Sequence, residues 1–202
     1  MPVEEDTSIR WLSKSLKTRG TWERLDSPYT VRIYESGEGT IEWHCLQPRA
    51  RATVELDEGV VLRGLGYVER LEMTVAPWKL PLEELRWGRF LSDSDSVVWV
   101  DWRGESCRRI VLDNGVLRDA TTVAESEIVL EGSVRLGLSK GKVLRTGALG
   151  KTALAIIPGV DRLLPSRLLN VQECKWRSRG ELLRGNAKSF GWAIHEVVRW
   201  PK

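Results

Sequence analysis

From Tyr29 onward, apolar and polar residues alternate in short runs, which is the pattern of half-buried β-strands. Turn residues separate the runs, most clearly Asp113-Asn114-Gly115, because Asn-Gly readily adopts the left-handed conformations of a two-residue hairpin turn. The spacing shows no βαβ units, so the sequence predicts an all-β, antiparallel barrel or sandwich of about eight to ten strands. The runs with a strand-like pattern are 29–35, 39–47, 50–56, 60–75, 85–91, 96–103, 107–112, 128–136, 138–144, 172–183 and 189–200.

Two segments depart from this pattern. Residues 8–25 begin with Ser8, a candidate helix cap, and carry apolar residues at helical spacing, which predicts a short helix or an irregular lead-in. Residues 145–170 are rich in Ala and Leu and interrupted by prolines, which predicts one or two short helices that act as a lid, a plug or a structural closure. We therefore predict a partly helical N-terminal extension (1–26) followed by one barrel domain (27–202).

Composition narrows the class of protein. The chain has 202 residues, 42% of them hydrophobic and 29% charged, as in a soluble globular domain. The net charge is only +3, and arginines are interleaved with acids, so nucleic-acid binding is not indicated. No apolar run approaches the roughly 20 residues that span a bilayer, and the acidic N-terminus does not resemble a secretory signal. We expect a cytoplasmic protein without a membrane segment.

The cysteines and the absent motifs limit the chemistry. Cys45, Cys107 and Cys174 are widely spaced and form no CxxC pair, so we expect buried, reduced thiols. The sequence has no glycine-rich phosphate loop, no GxSxG nucleophile elbow, no HExxH and no Rossmann fingerprint. His44 and Cys45 are adjacent in a strand and face opposite sides, so they do not form a dyad. We expect neither a cofactor nor a metal.

The richest stretch for function runs from Gly64 to Gly104 and holds four of the ten tryptophans. Because strand side chains alternate between faces, Glu69 shares an apolar face with Tyr67, Leu71 and Met73. A carboxyl group in an apolar cavity has a raised pKa, so Glu69 is a candidate proton donor to an alkene or epoxide. The alternative is a structural salt bridge with Arg89 or Arg63.

Three further charged residues have both a functional and a structural interpretation. Arg89 lies beside Trp87 and could anchor a ligand carboxylate, or pair with Glu69. Asp101, on the face of Trp99, is a second candidate acid or base, with a solvated surface position as the alternative. Glu196 lies on an apolar strand face and is either a cavity acid or a hydrogen-bonded structural residue.

Several of these motifs carry a resemblance to a known family. They are Gly66–Glu69, Pro77-Trp78, Leu85–Phe90, Val98–Trp102 and Ser189–Glu196, which together cover about 64–104 and 172–200. In these segments the chain resembles the lipocalin-like superfamily of carotenoid 1,2-hydratases and AttH-type proteins. The resemblance implies a calycin-type antiparallel barrel with a cavity for an apolar, isoprenoid- or polyketide-like small molecule. Known members often have two barrels, whereas this chain has room for one, and a homodimer would be one way to supply the second.

The hypotheses to test follow from these observations. The first is an apolar-ligand-binding barrel, and the second adds cofactor-independent hydratase or cyclase chemistry in the same cavity. The alternative is a structural or interaction protein whose barrel interior is filled by its indoles. The candidate catalytic residues are Glu69, Asp101 and Glu196, and the candidate ligand-binding residues are Tyr67, Trp78, Trp87, Arg89, Trp99, Trp102, Trp176 and Trp192.

Overall fold

A computed structural model describes residues 2–152, 154–155, 159 and 164–201, and its regular structure is almost entirely antiparallel β-strand. Among these described residues, short 3-10 turns lie at Asp57–Gly59, Pro77–Lys79 and Leu149–Lys151, and a short helix, α1, lies at Ser166–Leu169. The strands are β1 (Val3–Glu4), β2 (Ser8–Ser13), β3 (Thr18–Arg24), β4 (Tyr29–Ser36), β5 (Gly39–Glu55), β6 (Val61–Met73), β7 (Leu82–Leu91), β8 (Ser96–Gly104), β9 (Arg108–Asp113), β10 (Val116–Arg118), β11 (Ala120–Val123), β12 (Glu127–Leu130), β13 (Val134–Ala148), β14 (Gln172–Arg184) and β15 (Ala187–Arg199).

The first six strands form an N-terminal sheet built around β5. The strand order is β1-β2-β3-β5-β4, and β6 pairs along the other edge of β5. The first half of β5 pairs with β4 and its second half with β3, with register shifts between Cys45 and Ala50. Pro48 lies in this irregular part, where a residue without a backbone N–H is tolerated. The irregularity allows one long strand to serve two partners in succession.

The remaining nine strands form a second sheet that curls into a nearly closed barrel. Its order is β10-β9-β8-β7-β15-β14-β13-β12-β11, all antiparallel. The barrel interior is a packed hydrophobic core to which most of these strands contribute. The core residues are Phe90, Val97, Trp99, Val111, Val123, Ile128, Leu130, Leu136, Leu138, Leu182 and Ala193. The interior of this barrel is therefore filled by side chains.

The N-terminal sheet packs on the outer surface of the barrel. Trp43 and Cys45 of β5 join Val98 and Val100 of β8 in one buried cluster. Ile41 joins residues of β7 and β8 in a neighbouring cluster. The same strands β7 and β8 thus present one face to the barrel core and the other to the N-terminal sheet, as expected for strands with few polar positions. This second face is the one that forms the candidate site.

Two local predictions are wrong, both because turn chemistry overrode the apparent periodicity. Residues 8–25 form β2 and β3 rather than a helix, and the two leucines that suggested helical spacing, Leu12 and Leu16, are exposed. Lys17, with φ of 46°, lies in the turn between the strands. A turn predicted near Gly137 lies instead at Gly132-Ser133, both in the left-handed region, so β13 runs without interruption past Gly137.

The main predictions for the fold are confirmed. The chain is mostly antiparallel strand with a barrel-like sheet, and Asn114-Gly115 forms the β9–β10 hairpin with both residues at positive φ. The helical excursion near 145–170 contains one 3-10 turn and the short helix α1, and part of it lies outside the described residues. Cys45 is buried as predicted, but Cys107 is exposed. Among the described residues, no helix is long and apolar enough to cross a membrane.

Candidate active site between the two sheets

A cavity of about 370 Å³ lies between the N-terminal sheet and the outer face of the barrel. Its volume is at the lower end of the range for small-molecule sites, roughly 300–1,000 Å³. Most of its wall is apolar, with three charged side chains, Glu69, Lys175 and Glu196. The other lining residues are Ile33, Ile41, Trp43, Leu71, Met73, Pro77, Leu80, Leu82, Leu85, Trp87, Val100, Trp102, Leu149, Leu168 and Trp200. The predicted hollow therefore exists between the sheets, and not inside the barrel.

Glu69 is held in this wall by three hydrogen bonds to one of its oxygens. The indole N–H of Trp43 donates to Glu69 Oε2 over 2.7 Å, the Tyr67 hydroxyl over 2.7 Å, and the indole N–H of Trp87 over 3.2 Å. The donors come from β5, β6 and β7, so both sheets fix the carboxylate. Glu69 is nevertheless exposed, and not buried as the sequence argument assumed.

The groups next to Glu69 are neutral hydrogen-bond donors. Burial, followed by the nearby Cys45 and Glu69, raises the pKa of Tyr67 well above its usual value. Burial also raises the pKa of the Cys45 thiol to about 12. At neutral pH both groups keep their protons, so Tyr67 donates to the carboxylate and Cys45 is not a thiolate nucleophile.

Arg89 lies beside this cluster without a carboxylate partner within 4.0 Å in the described part of the chain. Its guanidinium carbon is 4.9 Å from the centre of the Tyr67 ring and 5.7 Å from that of Trp87. Burial lowers the pKa of Arg89, while Tyr67, Glu69 and Glu196 act in the opposite direction. Two aromatic faces thus hold the cation by cation–π contacts, and the salt bridge with Glu69 offered as the alternative is not formed.

At another part of the wall, and just outside it at Arg145 and Glu173, acids and bases neutralise one another. Lys175 Nζ is 3.0 Å from Glu196 Oε2 and 5.2 Å from the centre of the Trp87 ring. Arg145 Nε lies 2.7 Å from Glu173 Oε1, which also accepts from the Thr152 hydroxyl. Glu196, one of the candidate acids, lines the cavity as the partner of a lysine.

Two indole donors in the lining have no acceptor among the described residues. The Nε1 atoms of Trp102 and Trp200 are buried and unbonded, and the Trp102 side chain stacks on Tyr34 with ring centres 5.5 Å apart. Buried N–H groups without acceptors are costly, so each would gain from an acceptor atom on a ligand.

Other sequence-predicted site residues lie away from the cavity. Trp99 and Trp176 face the barrel core, where both flank His195 with ring centres 6.2 and 5.2 Å from its ring. Trp78 packs near helix α1, and Arg167 donates to its carbonyl. Trp192 lies in a neighbouring surface groove.

Asp101 is buried on the barrel-core face of β8, opposite to the cavity. Its two oxygens accept from Arg103 (2.7 Å) and Arg109 (3.1 Å). Asp101 is therefore neither solvated nor at the cavity wall, because Arg103 of the same strand and Arg109 of β9 supply two guanidinium groups that pair with it.

We expect Asp101→Ala to lower the free energy of unfolding by about 2 kcal/mol, since it removes the carboxylate that pairs with two partly buried guanidinium groups. Urea unfolding measures this loss, with Glu127→Ala, an acid on the exposed Arg135 pair, as the control expected to cost under about 1 kcal/mol. Equal losses in the two variants would contradict the structural role of Asp101.

The sequence argument missed Trp43 and Lys175. Trp43 alternates with Ile41 and Cys45 in β5, and this run of buried positions was the available signal for a core-facing indole. Lys175 pairs in register with Glu196 across β14 and β15, but no local pattern identifies such a contact.

A possible ligand cluster for a metal lies on the other face of the N-terminal sheet. Glu42, His44 and Glu72 bring one donor atom each within 4.8 Å of one another. Arg32 and Arg70 already pair with the two carboxylates. None of these three residues lines the cavity.

The architecture, an antiparallel barrel with a second sheet packed on it, is lipocalin-like. Among solved structures, the chain is similar to CghA (TM-score 0.54, 10% identity), covering 95% of this chain and 64% of that one. It is also similar to kievitone hydratase from Nectria haematococca (TM-score 0.52, 10% identity), covering 96% of this chain and 65% of that one. The chain thus spans about two thirds of the length of these structures. At this identity the similarity establishes the fold alone.

No protein-family model matches the sequence. A search of curated proteins also gave no match.

Proposed function

We propose that the chain binds an apolar, isoprenoid- or polyketide-like small molecule in the cavity between its two sheets, and that Glu69 transfers a proton to or from this molecule. The observation that carries the proposal is the Glu69 carboxylate, oriented by Trp43, Tyr67 and Trp87 at the wall of a mostly apolar cavity, whose other two charged residues, Lys175 and Glu196, pair with each other. A carboxyl group at a fixed point beside apolar surface is the arrangement that general acid–base catalysis requires.

A hydration fits these residues without a cofactor. The carboxyl proton of Glu69 goes to one alkene carbon, water adds to the other carbon, and the surplus proton of that water returns to the carboxylate. The indole faces of Trp43 and Trp87 stabilise positive charge that develops on the substrate carbon. Three donors hold Oε2, so Oε1, which has no partner among the described residues, is the oxygen through which the proton passes.

The reaction class is suggested by the name of one structural neighbour, a hydratase, and by the resemblance of the sequence motifs to carotenoid 1,2-hydratases. Binding without chemistry uses the same cavity, and the two alternatives differ only in whether Glu69 transfers a proton.

Ligand binding is tested first by titrating tryptophan fluorescence with a panel of polyenes, quinones and fatty acids. Trp43, Trp87 and Trp102 line the cavity, so an occupant is expected to quench or shift their emission. Leu71→Asp puts a charge into the cavity wall and is expected to weaken binding about tenfold or more.

The matched control is Leu62→Asp, because Leu62 lies on the same strand with nearly the same exposure (53% against 54%) but on its other face. Equal effects of the two substitutions, or no fluorescence response to any compound, would reject the cavity as the binding site.

A further inference from the structure

A second groove lies further along the same strands, beyond Tyr67 and Arg89. This groove, of about 520 Å³, is lined by Leu65, Leu91, Ser92, Asp93, Arg179, Gly180, Phe190, Gly191 and Trp192. On β6 the inward-facing residues pass from Glu69 in the cavity, through Tyr67, to Leu65 in the groove. On β7 they pass from Trp87, through Arg89, to Leu91. Tyr67 and Arg89, which are in contact, therefore lie between the two spaces.

The strand register places cations on this path. Directly opposed residues of antiparallel strands share a face, so strands β7, β15 and β14 form three successive rows across the sheet. The rows are Trp87–Glu196–Lys175 at the cavity, Arg89–Ile194–Arg177 next, and Leu91–Trp192–Arg179 at the groove. The second and third rows contain three arginines and no acid.

The arginines of these rows are held by aromatic rings. The guanidinium carbons of Arg177 and Arg179 lie 4.8 and 5.5 Å from the centre of the Trp192 ring, and Trp192 is 48% exposed. Within the part of the chain that the structure describes, Arg89, Arg177 and Arg179 have no carboxylate within 4.0 Å, whereas Lys175 in the cavity row is paired with Glu196.

Three acids are close enough to be considered. Glu196 acts on Arg89 but is paired with Lys175, Glu69 forms its hydrogen bonds with neutral donors, and Asp93 lines the far side of the groove, where its backbone carbonyl accepts from Arg49 over 2.6 Å. With Lys175 offset by Glu196, the three arginines outnumber the two remaining acids and leave a positive balance beside Trp192. Guanidinium groups on aromatic faces keep their N–H donors available for carboxylate or phosphate oxygens.

We propose that the ligand is an elongated amphiphile, whose apolar part fills the cavity and whose anionic head lies across Arg89 in the groove, bound by Arg177 and Arg179. This inference rests on the proposed function, because it needs the cavity to hold the apolar part. The head is a carboxylate or a phosphate, since both present the oxygens that a guanidinium recognises. Cation–π contacts that prearrange the arginines lower the entropic cost of binding such a head.

The test is isothermal titration calorimetry with three probes of equal chain length: dodecanoate and dodecyl phosphate below their micelle concentrations, and dodecanol below its solubility limit. For the wild-type chain, at least one anion is expected to bind about tenfold or more tightly than the alcohol. The preference should weaken as salt rises, because the groove is open to solvent. The stronger anion identifies whether carboxylate or phosphate is the better head.

The pair Arg177→Gln with Arg179→Gln is expected to reduce the preference to about threefold or less while leaving dodecanol affinity unchanged. Arg89→Gln is expected to reduce the preference as well. Arg118→Gln, an exposed arginine on β10 away from the groove, is the control and should retain it. The salt dependence of the wild type tests the same point without any substitution.

Different outcomes distinguish failure of anionic-head binding in the groove from failure of apolar-ligand binding in the cavity. Equal binding of dodecanol and both anions overturns the inference and leaves the cavity proposal standing. Failure of all three probes to bind overturns the cavity proposal and the inference together. A doubling of mass in sedimentation that protects Trp192 from a fluorescence quencher would make the groove an interface between copies and would also overturn the inference.

Discussion

Glu69→Gln is expected to lower the rate of hydration about 10³-fold while changing ligand affinity by no more than about threefold, because general acid–base catalysis contributes roughly 10² to 10⁴-fold. The glutamine retains an oxygen that can accept from Trp43, Tyr67 and Trp87, so the wall of the cavity keeps its shape. Unlike the carboxyl group, however, the glutamine amide cannot act as a general acid or base. Mass spectrometry of the polyene panel, which detects addition of one water, measures the rate.

Glu72→Gln is the matched control, since Glu72 lies on the same strand with its side chain on the opposite face, paired with Arg70. It should leave both rate and affinity unchanged. A Glu69→Gln variant with an unchanged rate would show that Glu69 does not transfer the proton, and the chain would then be a binding protein. Equal losses of rate in both variants would indicate damage to the strand and not to the chemistry.

Much of the barrel could be predicted because strand periodicity and turn chemistry agree along most of the chain. Asn114-Gly115 illustrates this agreement, since the residues that suit a tight hairpin are also those found at positive φ. The prediction was wrong where local signals were in conflict. Leu12 and Leu16 have helical spacing, yet they are exposed, and the pairing of β2 with β3 decides the structure of that segment.

The candidate site could be predicted only as sets of residues on a strand face. Alternation placed Tyr67, Glu69 and Leu71 on one side of β6, and the structure has Glu69 and Leu71 on the cavity wall. Alternation does not say which layer a face meets. Trp99 and Trp102 come from the same strand, but one lies in the barrel core and the other in the cavity lining.

That difference explains why the cavity was expected inside the barrel. A sheet that is covered on both faces is apolar on both faces. When both faces carry tryptophans, the sequence does not indicate which face is incompletely packed and borders a cavity. The N-terminal sheet, which the sequence suggested as a partly helical extension followed by barrel strands, is the layer that creates the second side.

Because the barrel core is filled, we expect substitution of Gly88 to lower the stability of the protein strongly. This glycine of β7 is directly opposite Trp99 on β8 and His195 on β15. A Cβ atom added to Gly88 would overlap the Trp99 indole and lie 2.6 Å from the Cβ of His195. We expect Gly88→Ala to cost about 3 kcal/mol of unfolding free energy, at the upper end for overpacking, because Trp99 is 2% exposed and has little room to move.

Trp99→Ala alone is expected to cost about 4 kcal/mol, since it leaves a large cavity in the core. The two costs should not add. Once Trp99 is truncated, its indole is absent, so the methyl group introduced by Gly88→Ala no longer overlaps it. The loss of unfolding free energy in the double variant should therefore be about 2 kcal/mol smaller than the sum of the two single losses. A coupling of this size is within the range for residues in contact. Urea unfolding of the four proteins measures this coupling. Additive costs would mean that Trp99 does not pack over Gly88, and that the barrel interior has free space where the structure has an indole.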